Sequence, residues 1–120
     1  MDGDQTIKIA NALRRAMKGG PDTCATLEVS GEPELWVQFV GSTVNAAYPH
    51  AEPPNQNRAI GSLLPELAPK SIDWNAGLSA TFEFAEFDTD DLAKWIDRYF
   101  VLILGCKANS YDLKIGEMEL

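Results

Sequence analysis

The sequence predicts an α+β fold, in which an antiparallel β-sheet carries helices packed mainly on one face. Hydrophobic residues repeat every three or four positions in three separate segments, which is the helical period. They alternate with period two between the first and second of these segments, and glycine-containing turns divide that stretch into three strands. The predicted order is α-β-β-β-α-β-α, a three-strand meander plus at least one further strand.

The length and composition predict one domain over residues 1–120. With 45% hydrophobic residues, a chain of 120 residues can bury a core of its own. The tail, residues 106–120, is polar with a weak alternation, so we expect an edge strand or a docked arm there.

The charge favours a polypeptide partner. The net charge is −8, from 10 basic and 18 acidic residues, and phosphate-rich partners such as nucleic acid or anionic membrane need basic surfaces. We therefore expect a basic or amphipathic protein or peptide, unless the acidity serves solubility alone. The N-terminus lacks a signal-peptide pattern and no apolar run is long enough to span a membrane, so we expect a cytoplasmic protein.

The first helix is predicted over Asp4 to Lys18. Its apolar side consists of Ile9, Leu13, Ala16 and Met17. The run Gly19-Gly20-Pro21 should end it.

The turn at Gly41-Ser42 predicts the register of the second and third strands. A two-residue loop that begins with glycine suits a type II′ hairpin. This turn places Val40 opposite Thr43 and Phe39 opposite Val44, which keeps the large aliphatic residues on one face.

A three-residue loop, Gly31-Glu32-Pro33, is predicted between the first and second strands. It would place Val29 opposite Leu35 and Leu27 opposite Val37. The two registers together define a second, non-core sheet face made of Cys24, Thr26, Glu28, Trp36, Gln38, Val40, Asn45 and Ala47.

Trp36 is the residue of this second face that needs an explanation. Leaving an indole in water forfeits apolar burial worth several kcal/mol at ~25 cal/mol per Å². The C-terminal tail, a second subunit or a bound peptide could supply its cover.

Two further helices and a fourth strand complete the pattern. Ile60, Leu63, Leu64 and Leu67 repeat as on one helix face, and Pro65 limits or kinks that helix. A fourth strand is predicted from Leu78 to Ala85.

The last helix is predicted from Asp88, as its N-cap, to a stop at Gly105. Phe87 and Leu92 are spaced as a hydrophobic staple. The run Phe100-Val101-Leu102-Ile103-Leu104 is apolar on every side, so it needs cover that a partner subunit is one way to supply.

The sequence indicates no catalytic, metal or cofactor site, and we expect a protein that is not an enzyme. His50 is the only histidine and has no nucleophile placed to pair with it. Cys24 and Cys106 form no C-x-x-C motif, and both are expected to be buried thiols. Asp90 and Asp91 follow Asp88 without the spacing of a calcium loop, so they read as charges at a helix N-terminus.

Four features of the sequence occur together: the element order with its acidic charge, the Trp-Val-Gln-Phe-Val strand at 36–40, the leucine-rich second helix and the Leu-Ala-Lys-Trp-Ile segment at 92–96. This combination resembles the class I type III secretion chaperones and the related YbjN-like proteins. The resemblance covers residues 7–104. It implies a cytoplasmic homodimer without enzymatic activity whose sheet and first helix hold an extended partner segment. It also implies two strands between the second and third helices, where alternation marks only one.

We therefore expect a non-enzymatic module that binds a partner polypeptide through Glu28, Trp36, Gln38 and Val40. By the same resemblance, Ile60, Leu63 and Leu64 are the expected dimer contact. The alternative function is an immunity- or antitoxin-like acidic protein that blocks a basic toxin.

Overall fold

The α+β architecture is confirmed. A computed structural model describes residues 4–19, 23–56, 58–64, 67, 69–84, 86–107 and 111–119. These residues form one sheet of six antiparallel strands, in the order β4-β5-β3-β2-β1-β6. The elements are α1 (Asp4–Lys18), β1 (Thr23–Val29), β2 (Glu32–Val40), β3 (Thr43–Ala47), α2 (Arg58–Gly61), β4 (Lys70–Asn75), β5 (Ser79–Glu83), α3 (Thr89–Arg98) and β6 (Leu113–Glu119).

Helix α1 has the predicted bounds and buries most of the predicted stripe. Ile9, Leu13 and Ala16 are at most 1% exposed, whereas Met17 is 49% exposed and lies beside Thr89 at the start of α3. Arg14 binds Asp90 at 2.6 Å, so α1 packs along α3 over the sheet. Gly20 and Pro21, expected to end the helix, lie outside the described residues.

The predicted register of β2 and β3 is confirmed. Val40 pairs with Thr43 and Phe39 with Val44. Gly41 has a φ of 63°, the left-handed angle that the first position of a primed hairpin turn requires.

The register of β1 and β2 is confirmed for Leu27 with Val37, but the prediction next to the turn is wrong. Val29 pairs with Glu32 instead of Leu35, and the ladder shifts between Glu28 and Val29. Pro33 has no N–H to give to a regular ladder, and Gly31, at φ 82°, allows the tighter turn.

Two strands that alternation did not establish form the edges of the sheet. β4 pairs with β5 through a turn in which Gly77 has a φ of 74°. Leu78, predicted to begin the fourth strand, lies in this turn and is 72% exposed. At the other edge the tail forms β6, which pairs with β1 over seven consecutive residues without a shift.

The second helix is much shorter than predicted. A 3₁₀ turn, Pro54–Gln56, precedes the four-residue α2, and the chain then turns at Ser62. Pro65, the predicted limit, lies outside the described residues.

Helix α3 begins at the predicted cap. The Asp88 carboxylate accepts the Asp90 N–H at 2.7 Å, and Phe87 packs edge-on against Phe39. Trp95 is fully buried and stacks on Tyr99 while meeting Phe82 edge-on.

After Arg98 the helix widens into a π-helical turn, Tyr99–Ile103. Leu104 N–H donates to Tyr99 O at 3.1 Å, and Gly105 follows at φ 80°. The chain itself buries Phe100, Ile103 and Leu104, and Leu102 is 56% exposed. Most of the apolar run is therefore covered without a second subunit.

Candidate functional site

The sheet face turned away from α1 and α3 is the candidate site, and we call it the open face. Strand alternation and the ladders assign to it Cys24, Thr26, Glu28, Trp36, Gln38, Val40, Thr43, Asn45, Ala47, Ser79, Thr81 and Glu83, flanked by Lys70 and Lys114 on the edge strands. Two of these residues are buried, Cys24 at 0% and Ala47 at 5% exposed. The face is therefore a mixed surface of small, polar and a few apolar side chains.

Trp36 lies on the open face, as predicted. It pairs with Glu28 across the β1–β2 ladder and is half-buried. One further step of the β2–β3 ladder beyond Val37 and Ala46 brings Trp36 beside Ala47. The indole therefore rests against the edge of the core, with part of its surface exposed.

The other predicted partner-binding residues share this face. Gln38 lies between Thr26 and Asn45, and Val40 pairs with Cys24 on the β1 side. Gln38, Val40 and Glu28 are all half-buried. The structure thus brings all four predicted residues together in one continuous patch on β1 and β2.

The carboxylates of the open face have basic residues opposite them. Glu28 faces Lys114 of β6, and Glu83 faces Lys70 of β4. The acidity of the chain is thus locally offset around Trp36, and the patch offers an aromatic ring and amide groups more than net charge.

The residues of the predicted dimer contact are buried within their own chain. Ile60, Leu63 and Leu64 are 6%, 0% and 5% exposed, because the core of their own chain covers them. Arg98 also binds Leu63 O at 2.7 Å. These three side chains have almost no apolar surface left for a second subunit.

A recess lies at the end of the sheet where the β1–β2 turn meets the segment after the π-helical turn. Its volume is about 490 Å³, and its lining is Val29, Ser30, Glu32, Leu35, Leu104, Gly105, Cys106, Lys107, Tyr111 and Asp112. No motif in the sequence predicts this recess. The one feature of the sequence that marks this region is the apolar run that ends at Gly105 and Cys106.

Ionisable groups around the recess are tied to neighbouring elements. Burial raises the pKa of the Cys106 thiol, and the charge of Glu32 raises it further. The hydrogen bond and charge of Lys8, whose amine lies 3.2 Å from Asp112, lower the pKa of that carboxyl. Burial and the hydrogen bond to Asp97 raise the pKa of Tyr111.

His50 has a structural contact. Its Nε2–H donates to Ile103 O at 2.9 Å, at the end of the π-helical turn, and its ring meets Tyr48 edge-on. The described part of the chain holds no group of three or more His, Cys, Asp or Glu side chains arranged to bind a metal ion. In that same part, no helix is both long and apolar enough to cross a membrane.

Comparison of the chain with protein-family models, with curated proteins and with solved structures found no match.

Proposed function

We propose that this protein is a non-enzymatic binding module that holds an extended segment of a partner polypeptide on its open face. One observation carries the proposal: Glu28, Trp36, Gln38 and Val40 form a contiguous patch on the side of the sheet away from the helices. Tryptophan is among the residue types enriched in protein-binding hot spots, and this half-buried indole keeps part of its surface exposed.

The element order adds support. Strand β4 supplies a second strand between α2 and α3, so residues 4–103 run α-β-β-β-α-β-β-α, the order that the resemblance to secretion chaperones implies. Both cysteines are free thiols, which fits the proposed cytoplasmic location because disulfides are rare there.

The charge pattern of the patch points to an amphipathic segment. Because Lys114 lies opposite Glu28, the patch has little net charge of its own. A partner would therefore bind mainly through apolar side chains placed against Trp36 and Val40, and its basic residues would meet the acidic surface elsewhere.

Capture by Trp36 variants tests the proposal. Copurification from native cells with mass spectrometry identifies the partner, and titration of the purified pair measures its affinity. Trp36→Ala should abolish capture and shift the melting temperature by only a few degrees. Glu83→Gln, on the same face but two strands away, should bind as the unmodified protein does. Full-strength capture by Trp36→Ala would refute the site.

The salt dependence of binding distinguishes the alternative function from the proposed one. The net charge of −8 favours an immunity-like protein that blocks a basic toxin by charge complementarity. Such binding should weaken steeply between low and high salt, because exposed charges are screened. Binding anchored on Trp36 should change little over the same range.

A further inference from the structure

The hydrogen bonds of β6 define which backbone groups point away from the sheet. Ser30 N–H donates to Asp112 O at 2.9 Å, one step beyond the pairing of Val29 with Leu113. In an antiparallel ladder, residues that exchange hydrogen bonds alternate with residues that do not. The backbone N–H and C=O groups therefore face β1 at residues 112, 114, 116 and 118. They face outward at residues 113, 115, 117 and 119.

A side-chain contact agrees with this assignment. Lys8 Nζ donates to Leu113 O at 3.1 Å, which requires that carbonyl to point out of the sheet. From Leu113 to Glu119 the strand has no bulge, so its outward backbone groups are regularly spaced.

The opposite edge of the sheet is blunted. β4 carries an irregularity between Ser71 and Asp73, and the Asp73 carboxylate accepts the N–H of Trp74 at 2.8 Å. Bulges and charged residues on an edge are the usual barriers to pairing with another chain. Both edge strands carry charged residues, but of the two described edges only β6 pairs with its neighbour without an irregularity.

We propose that two copies of this chain pair through antiparallel β6 strands, with Ile115 opposite Ile115 of the second copy. In this register the outward N–H and C=O groups of Leu113 face those of residue 117 of the second copy. The Leu113 carbonyl has two lone pairs, so it can accept from Lys8 and from the second copy at once. Lys114 faces Gly116 of the second copy, and no two like charges lie directly opposite each other.

The second copy is the occupant that this edge fits. A twofold axis through Ile115 makes the strand its own complement, as an isologous dimer requires. The half-buried Ile115 side chains would cover each other. Leu63 and Leu64, which follow α2, are already buried in their own chain, so they offer almost no competing apolar contact to a second copy.

The pairing would join the two open faces into one continuous sheet surface with a Trp36 on each side of the axis. The inference goes beyond the proposed function and stands without it, because it depends on the edge and not on the patch. Since each copy carries a net charge of −8, the dimer should be tighter at high salt, where repulsion is screened.

Sedimentation velocity over a concentration series, at low and high salt, tests the pairing. Ile115→Pro removes an outward N–H at the axis without removing a bond to β1, and should weaken the dimer by about tenfold or more. Gly116→Pro is the matched control, because its N–H faces Thr26 and its loss should lower the melting temperature. If Ile115→Pro fails to fold, Glu117→Pro removes the next outward N–H.

Hydrogen exchange gives an independent readout. The amides of residues 115 and 117 should gain protection as concentration rises, whereas those of 114 and 116 should be protected at every concentration. A chain that stays monomeric at both salt concentrations, or a dimer unchanged by Ile115→Pro and Glu117→Pro, would overturn the pairing. Trp36→Ala should leave the dimer intact, so failure of the partner-binding proposal can be recognised separately.

Discussion

Trp36 and Phe39 lie on opposite faces of β2, the indole half-buried on the open face and the phenyl ring 1% exposed in the core. The two aromatic residues are therefore expected to contribute differently to stability.

Phe39→Ala should lower the free energy of unfolding by about 3–5 kcal/mol, because it leaves a cavity beneath α3. Trp36→Ala should cost less than Phe39→Ala, since part of the Trp36 surface is already in water. Urea unfolding of both variants measures the difference. Equal losses would place Trp36 in the core and remove the basis of the proposed site.

Gly19→Ala should be strongly destabilising. A Cβ atom there would lie 2.9 Å from both Cβ and Cγ2 of Thr23, so the connection between α1 and β1 would have to shift, at a cost of about 1–3 kcal/mol. Gly61→Ala is the control: it has open space around it and should stabilise the chain by up to about 1 kcal/mol. Thermal unfolding that ranks the two variants in the opposite order would contradict this packing.

Asp88→Ala should lower stability by about 1 kcal/mol, because the Asp90 N–H loses its cap at the start of α3. Asp91→Ala, in the first turn, removes only a favourable interaction with the helix dipole and should cost about 0.3–1 kcal/mol. Chemical denaturation of the pair checks the assignment, which fails if the Asp91 variant is the less stable.

The acid limb of the stability curve should depend on Lys8. The folded-state pKa of Asp112 is lowered from its ordinary value of 3.8, so its stabilising contribution is complete above that value. The contribution is lost as the pH falls through the lowered pKa. Above pH 3.8 the wild-type protein should have a larger free energy of unfolding than Lys8→Met, and this difference should shrink as the pH falls below 3.8. Unfolding measured as a function of pH checks this. A constant difference at every pH would show that the pair does not titrate with folding.

Cys106 should react slowly with iodoacetamide at neutral pH, because its raised pKa keeps the thiolate fraction small. Glu32→Gln removes a negative charge, lowers that pKa and should speed alkylation. Cys24 is fully buried and serves as the unreactive internal control. Mass spectrometry of the modified chain follows both sites, and an unchanged Cys106 rate would mean that Glu32 does not act on the thiol.

Local signals were sufficient for several elements. The period of α1, the Asp88 cap and the glycine of the β2–β3 turn each act within a few residues, so their consequences could be predicted. The open face followed from the same alternation, since reversing any strand would have buried its polar residues.

Distant residues decide the features that local patterns left open. β4 and β6 have weak alternation and become strands because β5 and β1 offer them unpaired edges. Leu63 and Leu64 looked available for a dimer, but the core of their own chain covers them. The recess near Cys106 exists because three separate segments meet there.

The class of fold, the faces of the central strands and the position of Trp36 follow from side-chain period and turn geometry, which are local properties of the chain. The two sheet edges, the burial of Leu63 and Leu64, and the regular outer edge of β6 arise only when the whole chain packs. Those features depend on which segments compete for the same core and the same hydrogen bonds, and that competition is settled only when the whole chain packs.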